Sequence, residues 1–447
     1  MTHPAIALGL LAGALAAPPP QADEPDDRPP LELRDGDRVV LVGDALIERM
    51  QQYGYLEALL TAAHPERSIT FRNLGWSGDT VFGEARAGFG TPEDGFKTLI
   101  EQVKAAEPTV LIVGYGANES WAGEAGLPRF REGYDRLLDA LEATGAREIV
   151  LLSPIAQQGP GPVTRPGGVA NMAELVRYTG EVERIAAERG HRFVNLHVLT
   201  FGFGSGLGHD APPYYSSDGV HLSERGYEEL ARRLSWRGSG VFEPDGEITR
   251  ASITAGDDLV IEATKCSIED AVPTLDGLRF GFARSSIPDT RSSGPDLLTW
   301  GAIRVEGLPD GRYRVQCEGR PLPEGHANVN GQMGAFVMYD PGIDRPSPAG
   351  TLVVPGAFIP DEAPDLEQFE SLRQAIIAKN RLYFHRYRPQ NSTYLFGFRK
   401  HEQGNNAAEV EEFERLVAEA EAEIARLKVP QSHIYELERI DEEDADR

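Results

Sequence analysis

The stretch RVVLVGDALIERM (38–50) decides how the N-terminal half of this chain folds. Its first six residues, RVVLVG (38–43), are rich in β-branched apolar side chains, which is typical of a short buried strand. Gly43 and Asp44 end the run, and an amphipathic stretch, LIERMQQYGYLEALLTAA (46–63), follows at once. The segment therefore predicts a strand that leads directly into a helix, which is the building unit of parallel α/β sheets.

The same alternation continues to about residue 239. A second amphipathic stretch, LPRFREGYDRLLDALEATG (127–145), has apolar residues at helical spacing and Gly145 in the position that ends a helix. Strands separated by helices predict a parallel sheet covered on both faces, with the active site beyond the carboxyl ends of the strands. Four further strands are predicted at SITFRNLG (68–75), TVLIVGYG (109–116), REIVLLSP (147–154) and HRFVNLH (191–197).

Length and charge limit the possible partners. The 447 residues are enough for two or three domains. The net charge of −26, from 44 basic and 70 acidic residues, would repel nucleic acids and anionic membranes. We therefore expect no nucleic-acid partner, and we interpret the acidity as an aid to solubility.

The N-terminus predicts export. Residues 1–17 contain an apolar run that starts at Ala5 and ends in the small-x-small pattern Ala14-Leu15-Ala16, as in a signal peptide, although no Lys or Arg precedes the run. The expected location is periplasmic or secreted. Residues 18–34 are predicted to be a disordered, proline-rich lead-in, and no later segment is long and apolar enough for a membrane span.

The C-terminal half changes character after about residue 240. Residues 245–355 contain short strand-like runs separated by turns, which predict a small antiparallel β-domain. Residues 362–430 are predicted to be a helical tail that packs on the α/β domain, because its amphipathic face cannot be buried alone. Residues 431–447 are interpreted as an acidic C-terminus.

The two cysteines, Cys266 and Cys317, leave a disulfide open, since an oxidising compartment would allow one. Neither has a Cys or His neighbour at the spacing of zinc ligands. We expect no metal and no cofactor.

Four short motifs follow one another within the predicted α/β domain, and together they resemble the SGNH (GDSL-type) hydrolase family in order, spacing and position at strand ends. The resemblance covers roughly residues 35–235 and implies a three-layer, flavodoxin-like α/β domain (35–239) that acts on esters. The motifs are Gly43-Asp44-Ala45-Leu46, Asn73-Leu74-Gly75-Trp76-Ser77-Gly78-Asp79-Thr80, Gly114-Tyr115-Gly116-Ala117-Asn118-Glu119 and Asp218-Gly219-Val220-His221-Leu222.

The motifs contain the groups that acyl transfer needs. Asp218 and His221 are three residues apart, so the carboxylate can orient the imidazole and stabilise its protonated form. Gly78 can offer a backbone N–H and Asn118 a side-chain amide to an oxyanion. By resemblance these four residues are the orienting acid, the base and two oxyanion donors of the family.

The family's serine nucleophile corresponds to Ala45, next to Asp44, and alanine has no nucleophilic atom. Ser77 is close in sequence, but it precedes the oxyanion glycine, and we interpret it as structural. Two functions stay open. One is an ester hydrolase for acylated carbohydrate that uses an unusual nucleophile or water activated by histidine. The other is a binding protein that has kept the cleft and lost the chemistry.

The tail segment NRLYFHRYRPQNSTYLFGFRKHEQGNN (380–406) is dense in aromatic, Arg, Asn and His residues. It resembles tails attached to SGNH-like domains in exported proteins of planctomycete-type bacteria. Aromatic faces beside Arg and Asn suit sugar recognition, but they could equally fix the tail to the α/β domain. The candidate substrate contacts are Tyr383, His385, Arg386 and Asn391.

Overall fold

A computed structural model gives the fold of most of the chain. The predicted signal peptide, the following residues up to 27 and Asn391 lie outside the part that it describes. The described residues are 28–157, 171–200, 215–216, 218–235, 241–242, 250–254, 259–275, 277–285, 287, 303–306, 312–321, 325–326, 352–354, 364–389, 399 and 407–440.

The N-terminal half contains a five-stranded parallel sheet with the strand order β2-β1-β3-β4-β5, which confirms the predicted fold class. Separate groups of buried side chains cover its two faces, so the sheet is the middle of three layers. The strands are β1 (Arg38–Gly43), β2 (Thr70–Asn73), β3 (Val110–Gly114), β4 (Glu148–Leu152) and β5 (Arg192–Val194). The helices are α1 (Ala45–Tyr53), α2 (Tyr55–Ala63), α3 (Pro92–Ala105), α4 (Leu127–Glu142), α5 (Met172–Arg189), α6 (Leu196–Thr200) and α7 (Glu224–Ser235).

Two glycines bring the ends of β1 and β3 unusually close together. Gly43 pairs with Gly114 in the parallel register, and a Cβ atom on Gly43 would lie 2.3 Å from the Gly114 carbonyl oxygen. Only glycine fits that approach. The loops that follow the two strands therefore start side by side at one edge of the sheet.

The amphipathic stretch 46–63 forms two helices, where the sequence predicted one. Gly54 separates α1 from α2 and has a φ of 68°, in the left-handed region that favours glycine. A Cβ atom there would lie 3.1 Å from the Ile377 side chain, so the break also makes room for a later helix.

The second half contains two smaller sheets. The first sheet has the strand order β14-β10-β6-β7 and is antiparallel except for the parallel pair β6 and β10. The second sheet is antiparallel and has the strand order β12-β11-β15-β9-β8. In this second sheet β13 also pairs with β11. The strands are β6 (Arg250–Thr254), β7 (Val260–Thr264), β8 (Cys266–Pro273), β9 (Gly277–Arg284), β10 (Ile303–Glu306), β11 (Arg312–Cys317), β12 (Arg320–Pro321), β13 (Gly325–His326), β14 (Leu352–Val354) and β15 (His433–Ile440).

The structure differs from two sequence predictions about segments near the chain ends. Residues 433–440 were assigned to an acidic C-terminus, but they form β15, which lies between β9 and β11 and buries Tyr435 and Leu437. Residues 28–34 were assigned to a disordered lead-in, but Leu31 and Leu33 are buried in the core. In both segments alternate apolar side chains gain enough burial to offset the cost of ordering.

Two C-terminal helices, α8 (Pro364–Tyr387) and α9 (Ala407–Leu427), pack on each other and on the α/β domain. The helix α8 contacts α1, α2 and β2. Leu372 and Ile376 of α8 are buried against Ala58 and Ala62 of α2. The tail therefore covers the face of the domain next to β2.

No disulfide joins the two cysteines, although both belong to described strands. Cys317 is buried and Cys266 is half-buried. Among the described helices, none combines the length and apolar character that crossing a membrane requires.

Candidate active site

The first motif forms the sharp connection between β1 and α1. The Asp44 side chain caps α1 by accepting a hydrogen bond from the Leu46 N–H at 3.0 Å, which is the usual role of an aspartate before a helix. Ala45 is the first residue of the helix and is partly exposed. Its N–H is one of the donors that an α-helix leaves without an internal partner. The sequence reasoning missed this donor, although the capping pattern around Asp44 could have revealed it.

The fourth motif forms a tight turn that joins Asp218 to His221. The Asp218 Oδ2 and His221 Nδ1 atoms are 2.7 Å apart. Asp218 Oδ1 accepts hydrogen bonds from the backbone N–H groups of Val220 at 2.9 Å and His221 at 2.7 Å. Burial acts to raise the pKa of Asp218, but these hydrogen bonds outweigh it and hold the pKa well below its usual range. Asp218 is therefore a carboxylate that fixes the imidazole with Nε2 facing away from it.

The two expected oxyanion donors differ in how they are held. Gly78 has a φ of 80° and is exposed, and none of the described residues accepts a hydrogen bond from its N–H. Asn118 donates one amide hydrogen to the Asp79 carbonyl oxygen at 2.7 Å, which orients the amide and leaves its second N–H for a ligand. A glycine is required at 78 because of its positive φ.

Hydrogen bonds tie the motif loops to one another. The Trp76 N–H donates to the Gly43 carbonyl at 2.9 Å, and the Asp44 N–H donates to the Gly114 carbonyl at 3.2 Å. The Tyr227 hydroxyl of α7, the helix that follows His221, donates to the Leu46 carbonyl at 3.1 Å. A positive charge on His221 acts to lower the pKa of Asp44.

Two buried carboxyl groups belong to the motif loops that form this site. Burial raises the pKa of Asp44 to about 7, and the nearby Asp79 carboxylate adds to the effect. Burial likewise raises the pKa of Glu119 to about 7. Glu119 accepts hydrogen bonds from the Val81 N–H at 2.8 Å and the Gly116 N–H at 3.0 Å, so it joins the loops after β2 and β3.

The loop after β2 is further held by a buried ion pair. Asp79 Oδ2 lies 2.7 Å from Arg86 Nε, and neither side chain is exposed. Arg86 also donates to the Leu74 carbonyl at 2.7 Å. Among the described residues there is no group of His, Cys, Asp and Glu side chains arranged to hold a metal ion.

Comparison with known proteins agrees with this geometry. The sequence profile of the GDSL-like Lipase/Acylhydrolase family matches residues 43–229, which contain all four motifs. The chain has a GDSL-like (SGNH) hydrolase domain. No curated protein matches the sequence.

Solved structures similar to this chain include a gut microbial diltiazem-metabolizing enzyme, BT4096. The two are 14% identical, the match covers 91% of this chain and 98% of that chain, and the TM-score is 0.63, so the fold is shared across both halves. A catalytic mutant of Axe2, an acetylxylan esterase from Geobacillus stearothermophilus, matches at 22% identity over 48% of this chain and 98% of its own, with a TM-score of 0.37. The acetyl xylan esterase AlAXEase matches at 14% identity over 44% and 97%, with a TM-score of 0.35.

Three of the four tail residues predicted as substrate contacts make contacts that pack the tail. Tyr383 is buried beneath Arg72, whose guanidinium carbon is 5.1 Å from the ring centroid. His385 and Arg386 face α9, where His385 contacts the Phe413 ring and Arg386 pairs with a glutamate. These contacts agree with the alternative that the aromatic segment fixes the tail to the GDSL-like domain.

Proposed function

We propose that the GDSL-like domain binds carboxylic esters of carbohydrates and hydrolyses them slowly with water activated by His221. The proposal rests mainly on the Asp218–His221 pair, whose 2.7 Å contact keeps the imidazole oriented as a base. Ala45 occupies the family's serine position, so the base has no hydroxyl to deprotonate there. A water molecule beside Nε2 is the remaining nucleophile.

The reaction balances with water as the only co-reactant. His221 Nε2 takes a proton from water while the water oxygen attacks the ester carbonyl carbon. The oxyanion receives hydrogen bonds from Gly78 N–H, Asn118 Nδ2 and Ala45 N–H. The bond to the alcohol oxygen then breaks, and protonated His221 returns the proton to the leaving group. The products are a carboxylic acid and an alcohol.

Trp121 favours a carbohydrate as the alcohol part. Trp121 is 60% exposed. Its backbone N–H donates to the Asn118 carbonyl at 3.4 Å, so Trp121 lies one helical turn after the oxyanion donor Asn118. The neighbouring Ser120 is fully buried and accepts a hydrogen bond from the Asn171 amide at 2.7 Å, which makes the segment rigid. An exposed, rigidly carried aromatic face suits stacking on a sugar ring.

Ala45 also favours a second candidate, a protein that binds such esters without cleaving them. In a well-studied serine protease, loss of the nucleophile lowers turnover about 10⁶-fold and leaves roughly 10³–10⁴ over water. A cleft used only for binding does not need an oriented base, so Asp218 and His221 favour the catalytic candidate.

The test compares wild-type protein with His221→Ala and the control His191→Ala, a half-buried histidine outside the four motifs that pairs with Glu142 at 2.9 Å. Release of acetate from acetylated xylooligosaccharides, hydrolysis of p-nitrophenyl acetate and, by calorimetric titration, binding of the oligosaccharides are measured. We expect slow turnover that survives in the control, is lost in His221→Ala and resists a serine-reactive phosphonate. Binding with no turnover above buffer would favour the second candidate, and neither binding nor turnover would contradict both.

A further inference from the structure

We propose that Arg388, just after the C-terminal end of α8, is a positioning residue that braces the oxyanion loop, defined as Gly75–Asp79. The inference rests on the proposed function of the site, because it concerns how the Gly78 N–H is aimed. Gly78 and Arg388 are more than 300 residues apart in the sequence. The C-terminal tail would thus support the active site of the GDSL-like domain.

Arg388 contacts the loop in two ways. Its guanidinium carbon lies 3.8 Å from the centroid of the Trp76 ring, a close cation–π contact. Its Nη1 atom lies 3.1 Å from Oε2 of Glu48 in α1. The same Glu48 oxygen accepts a hydrogen bond from the Ser77 N–H. Arg388 therefore holds Trp76 directly and Ser77 through Glu48.

The residue before Arg388 holds the start of the loop. The buried Tyr387 hydroxyl donates to the Gly75 carbonyl at 2.8 Å. The Gln102 side chain of α3 donates to the Tyr387 carbonyl at 3.0 Å, which ties the end of α8 to the domain. Three consecutive residues ahead of Gly78 are therefore held by the end of α8 or by its partner Glu48.

Gly78 depends on this bracing because it has little packing of its own. It is exposed, and no heavy atom lies within 4 Å of the position that its Cβ would take. The other side of the loop is held within the domain by the Asp79–Arg86 pair. A donor that points even slightly away from the oxyanion loses most of its value, and one donor is worth about 10²–10³ in rate.

The test uses full-length Arg388→Ala, the conservative Arg388→Lys and the control Arg381→Ala, an exposed arginine of the same helix. Amide hydrogen exchange is followed for peptides covering residues 75–79. We expect exchange about tenfold faster or more in Arg388→Ala, intermediate in Arg388→Lys and unchanged in the control. Exchange at the wild-type rate in Arg388→Ala would overturn the proposal, whether or not the protein hydrolyses esters.

A second readout separates positioning from a purely structural role. In the Ala45→Ser background, Arg388→Ala should lower kcat for p-nitrophenyl acetate by about tenfold or more, with KM changed less than about twofold. If the Ala45→Ser protein is active and adding Arg388→Ala leaves its kcat unchanged, the proposal would also be overturned. An inactive Ala45→Ser protein with faster exchange in Arg388→Ala would count against the proposed function and still support the brace.

Discussion

The Nζ atom of Lys379 lies 2.6 Å from Oε1 of Glu57, and this ion pair joins α8 to α2 in the interior. The Lys379 side chain is only 1% exposed, and Nζ also donates to the Phe71 carbonyl at 3.0 Å. Asn380 donates to the other Glu57 oxygen at 3.0 Å. Burial lowers the pKa of Lys379, and the adjacent Glu57 opposes that change. The contact between tail and domain thus includes an ion pair, and removing either residue would leave a charge in the interior without its partner.

Lys379→Ala should destabilise the protein by about 3–5 kcal/mol, because it leaves the largely buried Glu57 carboxylate without its cationic partner. The control is Lys97→Ala, whose exposed pair with Glu101 should be worth less than about 0.5 kcal/mol. Urea unfolding measures both. A Lys379→Ala protein as stable as the control would show that the Lys379–Glu57 pair contributes little to stability.

Ala45→Ser should raise ester hydrolysis by several orders of magnitude. The added hydroxyl would complete a nucleophile, base, orienting acid and oxyanion donors, which act as a unit. Steady-state kinetics with p-nitrophenyl acetate and the mass of the protein after treatment with a serine-reactive phosphonate check the prediction. A folded variant that forms no adduct would mean that the cleft has departed from hydrolase geometry, and the binding function would then be preferred.

Asp218→Asn, made in the Ala45→Ser background, should lower kcat by roughly 10⁴-fold, because an amide favours the wrong imidazole tautomer. The amide oxygen can still accept the backbone hydrogen bonds of Val220 and His221, so the turn should fold normally. Steady-state kinetics measure the loss of kcat, and circular dichroism checks that the variant is folded. Retained kcat would mean that His221 is not oriented by Asp218 during the reaction.

Stability should depend on pH through Asp44, whose pKa is raised from an ordinary 3.8 to about 7. Between these values the folded protein keeps a proton that the unfolded chain has released. The free energy of unfolding therefore falls as pH rises from about 4 to about 7, by up to roughly 1.4 kcal/mol per pH unit. Glu119 contributes with the same sign.

Asp44→Asn removes this contribution, since an amide does not ionise and its oxygen can still cap α1. Urea unfolding of both proteins at several pH values between 4 and 7.5 should give a flatter pH dependence for Asp44→Asn. Identical slopes would show that Asp44 is ionised in the folded protein throughout this range.

Trp121→Ala should weaken binding of acetylated xylooligosaccharides by about tenfold, the upper part of what one aromatic contact contributes. Hydrolysis of p-nitrophenyl acetate in the Ala45→Ser background should change little, because the small ester does not reach the indole. Val176→Ala, another exposed apolar residue, is the control. Calorimetric titration gives the affinities, and equal affinity in Trp121→Ala and the control would remove Trp121 from the site.

The α/β fold could be predicted because its signals are local. RVVLVG predicted β1 with its observed bounds, and three of the four motifs fell at the carboxyl ends of β1, β2 and β3, which the sheet brings to one edge. The strand β15 was missed, although alternate residues in HIYELERI (433–440) are apolar or aromatic. Its partners β9 and β11 lie more than 100 residues earlier, so the sequence pattern could not reveal what would pair with it.

The sequence by itself determined that position 45 carries a methyl group and no nucleophile, and that Asp218 and His221 are close enough along the chain to form a pair. These are properties of residue type and short spacing, which covalent geometry preserves in any fold of the segment. Only the tertiary structure decided that Arg388 braces the oxyanion loop, that Lys379 meets Glu57 and that the Asp44 pKa rises to about 7. Those properties depend on which distant groups share a site from which water is excluded, because desolvation and charge pairing act through space and not along the chain.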